Sequence, residues 1–181
     1  MIYMIPMNWV KMVCNEVKVI YFDLDGVLVD LYTKYFEIYK NIDFNQIDFN
    51  EAVYKHKIFE IAKPTEEFHT IMSCIDLSKK DIRYAILSSS AHSSKSPDRS
   101  IFIRNQKLNW VNKYCKPYGL VDMHLVRNKK YKKEYATSNS FLIDDTSSNV
   151  SDFNLAGGKA ILHTKNSTQE TINFITRARG D

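Results

Sequence analysis

Two aspartate groups, Asp23-x-Asp25 and Asp144-Asp145, and a run of hydroxyls, Ser88-Ser89-Ser90, are the residues of this 181-residue chain whose types and spacing point to chemistry. Each closes a short apolar run. Val17 to Phe22 leads into Asp23-Leu24-Asp25-Gly26, Tyr84 to Leu87 into the serines, and Phe141 to Ile143 into Asp144. In a parallel sheet, ligands bind beyond the carboxyl ends of the strands, so residues that end strands converge on one site. Carboxylates crowded there repel one another and take up protons unless a cation neutralises them, which predicts a bound divalent metal. With oxygen donors alone and no His or Cys among them, Mg²⁺ is the expected ion.

The elements that must carry these groups are legible as periodic runs. Besides the three strands named, Val121 to Val126 and Ala160 to Leu162 read as strands, with helices at Ile103 to Tyr114 and Thr168 to Ala178. Short apolar strands alternating with helices predict an α/β fold, a doubly wound parallel sheet covered on both faces. Residues 31–80 break the alternation, with no convincing strand and many aromatics, and are expected to form a small helical cap insert. Residues 15–30 and 81–181 then form the core. Residues 1–14 form an extension of unassigned role, either packed or an over-early start with Met4, Met7 and Met12 as alternative starts. Tyr32, Tyr35, Phe36 and Tyr39 share one helix face. That face is expected to pack the insert's own core; the alternative is that one or two rings line a pocket for a flat substrate.

Composition narrows the function classes. A content of 44% hydrophobic residues fills a real core, which argues against disorder. The 25 Lys and Arg against 21 Asp and Glu leave only +4, too little for a bulk nucleic-acid coat. Cys14, Cys74 and Cys115 are odd in number and lack a Cys-x-x-Cys pair, so a reducing cytoplasmic setting is expected rather than a disulfide framework. No run reaches the 18 or so apolar residues of a membrane span. The five histidines show no metal-ligand spacing and are expected at the surface or in loops.

Asp23-Leu24-Asp25-Gly26-Val27-Leu28-Val29-Asp30, the Ser closing the second strand, a later Lys and Leu142-Ile143-Asp144-Asp145 together resemble the four motifs of the haloacid dehalogenase-like phosphohydrolases. With Trp110-Val111 and the stretch Ala156 to Leu162, the layout is most similar to the 5'(3')-deoxyribonucleotidase type, including phage-encoded relatives. The resemblance implies an aspartyl-phosphate mechanism. Asp23 is then the nucleophile and Asp25 the general acid and base. Mg²⁺ would be held by Asp23, Asp145 and the Asp25 backbone carbonyl, with Asp144 behind them. Ser88 and the Ser89 N–H would bind phosphoryl oxygens. Among Lys129, Lys130, Lys132 and Lys133, the family's spacing favours Lys132 in Lys132-x-x-Tyr135-Ala136, with Lys133 and Lys129 next. Arg99 or Arg104 is a further phosphate contact to test, against the simpler expectation of a polar loop around Pro97.

The expected substrate is a small phosphomonoester, a nucleoside monophosphate, with substrate choice residing in the insert. A polynucleotide 3'-phosphatase is the alternative that the pI of about 8.8 and the lysine cluster would suit. A sugar or amino-acid phosphate phosphatase and a catalytically silent binding protein of the same fold complete the alternatives.

Overall fold

A computed structural model of the chain describes residues 17–40, 42–43, 48–91 and 97–180. In chain order its strands are β1 (Lys18–Phe22), β2 (Val29–Asp30), β3 (Lys63–Pro64), β4 (Ile82–Ser89), β5 (Met123–Val126), β6 (Ser140–Asp144) and β7 (Lys159–Leu162). Its α-helices are α1 (Leu31–Ile38), α2 (Phe49–Tyr54), α3 (Ile58–Ile61), α4 (Phe68–Met72), α5 (Pro97–Tyr114), α6 (Ser147–Leu155) and α7 (Thr168–Arg179). The five apolar runs become one parallel sheet in the order β5-β4-β1-β6-β7. Successive strand residues point to opposite faces, and here both faces are apolar. Ile20, Phe22, Tyr84 and Ile86 pack with Trp110 and Val111 of α5 and Ile175 and Ala178 of α7. Tyr21, Ala85, Leu87 and Leu142 pack with Phe153 of α6. This is the expected doubly wound core, and β1, flanked by β4 and β6, lies where the strand order reverses.

The register delivers the site. Phe22 pairs with Ile86 on one side and Ile143 on the other, and the Asp23 N–H continues the ladder to Ile143 O at 2.8 Å. Asp23 and Asp144, each following its paired residue, therefore leave the sheet side by side. Gly26 has φ +81° and turns the chain directly against Asp145, whose carboxylate a Cβ at position 26 would strike. Asp30, the last residue of the Asp-x-Asp-Gly stretch, serves as N-cap of α1, accepting from Thr33 N at 3.1 Å.

Within residues 31–80 the packing is divided. Tyr35 and Tyr39 are buried with Ala52, Val53, Ile58 and Phe59 in a cluster of the insert's own, whereas Tyr32 and Phe36 are exposed. The aromatic face is thus split, because α1 ends at Ile38 and covers its core with only part of that stripe. Phe68, Ile71 and Met72 instead join the main core, with Phe68 edge-on to Trp110 at 5.8 Å. Within this segment the separate cluster runs as far as Phe59, and Ala62 already belongs to the main core. The expectation that this segment holds no strand is also corrected, since β3 pairs antiparallel with β2, Val29 to Pro64 and Asp30 to Lys63. Two residues carry no alternation to read, and a proline is tolerated there because the ladder is an edge.

α5 begins at residue 97, earlier than the Ile103 expected, and takes in part of the supposed polar loop. His163 lies in the loop that follows β7, and is buried there, 2% exposed with a hydrogen bond between Nδ1 and Thr171 Oγ1 at 2.9 Å. Among the described residues no helix is long and apolar enough to cross a membrane. Cys74 and Cys115 are unpaired thiols, and burial pushes Cys115 up to about 12. Cys14, His92, Phe44, Ser93, Ser94, Ser96 and the 1–14 extension lie outside the described residues.

Candidate active site

Asp23 is held at both oxygens. Oδ1 accepts from the Leu24 N–H at 2.7 Å, and Oδ2 pairs with Lys132 Nζ at 2.6 Å. The same ammonium reaches Asp144 Oδ2 at 2.6 Å. Lys132 comes from a 3₁₀ stretch, Lys129–Tyr135, opened by Asn128, which accepts from Lys130 N at 3.1 Å. In a 3₁₀ helix residues three apart eclipse, so Tyr135, packed edge-on to Tyr21 at 5.7 Å, carries Lys132 inward with it. Lys132 is 2% exposed, while Lys129, Lys130 and Lys133 are exposed and only Lys129 reaches the cavity wall. Burial works against the Lys132 ammonium, but the Asp23 and Asp144 carboxylates outweigh it and raise its pKa.

Asp144 is saturated. Thr146 N and Asn149 Nδ2 donate to Oδ1, both at 2.9 Å, and Asn149 and Lys132 occupy Oδ2 at 3.1 and 2.6 Å. Asp145 is not, for among the described residues it accepts only from the Thr146 hydroxyl, at 3.2 Å. Burial, then the charges of Asp23 and Asp144, push its carboxyl up to about 6. Oxygens of Asp23, Asp144 and Asp145 lie within 4.8 Å of one another, the geometry a cation could bridge. The donor set fits a hard divalent ion. Four carboxyl groups, Asp23, Asp25, Asp144 and Asp145, outnumber the two buried ammonium groups, Lys107 and Lys132.

Asp25 lies across from this cluster. Its Oδ2 pairs with Lys107 Nζ of α5, and its Oδ1 is buried without a hydrogen-bond partner among the described residues. Burial, and secondarily the Asp23 charge, raise the Asp25 pKa against the pull of Lys107. Lys107 also donates to Ser88 Oγ at 2.9 Å and to Ser89 O at 3.0 Å. All seven candidate residues, Asp23, Asp25, Ser88, Ser89, Lys132, Asp144 and Asp145, are thus brought to one end of the sheet. All but the buried Asp144 line a cavity of about 350 Å³, to whose wall Tyr32, Tyr35, Phe49 and Phe59 of the insert also contribute.

Arg99 and Arg104 do not reach this cavity. Arg99 instead bonds Asn50 Oδ1 and Ala91 O, both at 3.2 Å, and lies over the Phe49 ring, while Arg104 is exposed. Sequence reasoning missed Lys107 and Asn149. The signal for Lys107 was its spacing, four residues after Ile103 and three before Trp110, which sets it on the buried stripe of α5.

Residues 17–179 match the family described as "5' nucleotidase, deoxy (Pyrimidine), cytosolic type C protein". No curated protein matches the chain. Among solved structures, a haloacid dehalogenase-like family hydrolase from Streptococcus pneumoniae aligns over 86% of this chain and 90% of its own at 11% identity, with a TM-score of 0.53. A HAD-superfamily hydrolase from Ehrlichia chaffeensis aligns over 90% of this chain and 98% of its own at 16% identity, with a TM-score of 0.47. The first of these likenesses shows a shared fold.

Proposed function

The chain belongs to the 5' nucleotidase, deoxy (pyrimidine), cytosolic type C family and is a phosphatase, and from that premise we propose that it is a Mg²⁺-dependent 5'-nucleotidase acting through an aspartyl phosphate on Asp23. The observation that carries this reading is the pairing, in one cavity, of a clamped Asp23 with an Asp25 that keeps one buried oxygen free. In the first step an Asp23 oxygen attacks phosphorus, the ester P–O bond breaks, and Asp25 gives its proton to the departing sugar oxygen. In the second, Asp25 takes a proton from water as the water oxygen attacks phosphorus, releasing inorganic phosphate and restoring Asp23. The raised Asp25 pKa favours its starting protonated. Ser88 and the Ser89 N–H are the phosphoryl donors, and Lys132 supplies positive charge beside the nucleophile. Mg²⁺, held by Asp23, Asp145 and the Asp25 carbonyl, would supply charge neutralisation that lets two anions meet. Asp144, saturated as it is, would hold Lys132 and Asn149 in place behind them.

The insert supports a small substrate, since Tyr32, Tyr35, Phe49 and Phe59 from α1, α2 and α3 narrow the cavity with side-chain walls where a polynucleotide end would need an open groove. Assaying nucleoside monophosphates, 3'-phosphorylated oligonucleotides and sugar phosphates with Mg²⁺ tests the assignment: preferential turnover of sugar phosphates or of strand ends would overturn it. Tyr32 is the ring most available to a base, lining the cavity without being part of the insert's buried cluster. Tyr32→Ala should weaken kcat/KM for nucleoside monophosphates by about 1–3 kcal/mol and barely change it for ribose 5-phosphate. Equal losses on both would remove Tyr32 from base recognition.

Metal binding should depend on pH with a definite sign. Burial and the neighbouring Asp23 and Asp144 charges raise Asp145 to about 6, so below that pH a proton competes with a cation for it. Mg²⁺ affinity, read by calorimetry, should rise as pH increases through about 6 and level off above it, with proton uptake by the buffer at the acid end. An affinity flat from about pH 5 to about pH 7 would take Asp145 out of the ligand set.

A further inference from the structure

Lys107 stands outside every sequence motif, yet it is 1% exposed and its ammonium meets the site at three points. Its three protons are matched by three acceptors: Asp25 Oδ2, Ser88 Oγ and Ser89 O. Its fourth neighbour is the face of the Phe59 ring, 4.7 Å away on α3 of the insert. The residues around it on α5 reinforce that placement. Ile103 is buried in the insert's cluster, Gln106 donates to Val53 O at 2.8 Å and accepts from Phe59 N at 3.3 Å, and Trp110 Nε1 donates to Ala62 O at 2.8 Å. Ile103, Gln106, Lys107 and Trp110 are one stripe at i, i+3, i+4 and i+7, and that stripe joins the insert to the sheet end.

We propose that Lys107 is a positioning residue, which fixes the free oxygen of Asp25 and the hydroxyl proton of Ser88 toward the substrate and ties both to the seating of the insert through Phe59. The inference rests on the mechanism proposed above. Because Oδ2 is tied to Lys107, Oδ1 is the oxygen that carries the proton to the leaving group and takes one back from water. Because Ser88 Oγ accepts from Lys107, its own proton is left to donate to a phosphoryl oxygen. Misplacing either group by ~1 Å is enough to cost about 10²-fold in rate. Phe59 contacts the same ammonium, so a displaced insert loosens the acid and the phosphoryl donor together.

The test compares Lys107→Met and Lys107→Gln with wild type on a deoxynucleoside 5'-monophosphate and on p-nitrophenyl phosphate, whose leaving group needs no proton. The nucleotide kcat should fall by roughly 10²-fold with KM little changed, and the aryl phosphate should lose about tenfold less. In an Asp25→Asn background, Lys107→Met should cost only a small further factor, because two residues acting as one unit are not additive. Thermal melting identifies a variant that fails to fold, and Lys107→Gln, which keeps two donors, then carries the comparison. Undiminished kcat, equal losses on both substrates, or full additivity with Asp25→Asn would each overturn the role given to Lys107 while leaving the phosphatase reading intact. A wild-type protein that turns over neither substrate would overturn both.

Discussion

Asp23→Asn is expected to lose turnover of every phosphomonoester by a factor on the order of 10⁴ or more, as removal of a covalent nucleophile does elsewhere. An amide neither attacks phosphorus nor contributes charge toward a divalent ion. The fold should survive, because an Asn oxygen still accepts from Leu24 N and Lys132 keeps Asp144 as its partner. The melting temperature should therefore stay close to wild type while activity vanishes. EDTA should abolish wild-type turnover in the same way, and added Mg²⁺ should restore it. Retained turnover in Asp23→Asn, or in chelated wild type, would end the aspartyl-phosphate account.

Lys132→Met should act on stability as well as rate. Its ammonium sits between Asp23 and Asp144, with side chains 8% and 0% exposed, and removing one member of a buried charge cluster costs about 3–5 kcal/mol. That is a large share of the ~5–15 kcal/mol that holds a domain folded. The deficit should depend on pH. Without Lys132 only the Thr146 N–H and the Asn149 amide remain to offset the burial and the Asp23 charge that already raise the Asp144 pKa, so Asp144 is pushed further above its unfolded value. Stability is then retained at low pH, where Asp144 is protonated, and lost as pH rises through its folded pKa. Urea unfolding at about pH 5 and about pH 7 should show the larger gap from wild type at the higher pH. A deficit below ~1 kcal/mol at both would mean that Lys132 is a surface-like pair worth little.

The central strands β1, β4 and β6 were legible because each is a largely buried apolar run, and a parallel sheet then brings their polar ends together with no further information. Asp23, Ser88 and Asp144 follow from that alone. Lys132 was found through the resemblance, by the family's spacing to Tyr135 and Ala136, and the structure adds the eclipsed 3₁₀ turn that buries it. Lys107 was not, since α5 reads Asn105-Gln106-Lys107-Leu108 and polar residues in a helix default to the solvated face, whereas here Leu108 is 39% exposed and Lys107 is buried. The polar atoms that overturn that default lie across the fold, at positions 25, 53, 59, 88 and 89, and no local window contains them. The division of packing within residues 31–80 was likewise hidden, because Phe59 and Phe68 are the same residue type and only tertiary packing sends one to the separate cluster and the other to Trp110.

The two-residue ladder between Val29–Asp30 and Lys63–Pro64 brings the entry and exit of the intervening segment together at paired positions. Topologically that segment is a plug-in module: it can be lengthened, shortened or swapped without rethreading a single crossover of the sheet. A graft of residues 31–62 from a homologue, rejoined at this ladder, would carry a new set of cavity walls to an unchanged set of reacting groups. Only the α5 stripe would need to be recut to match.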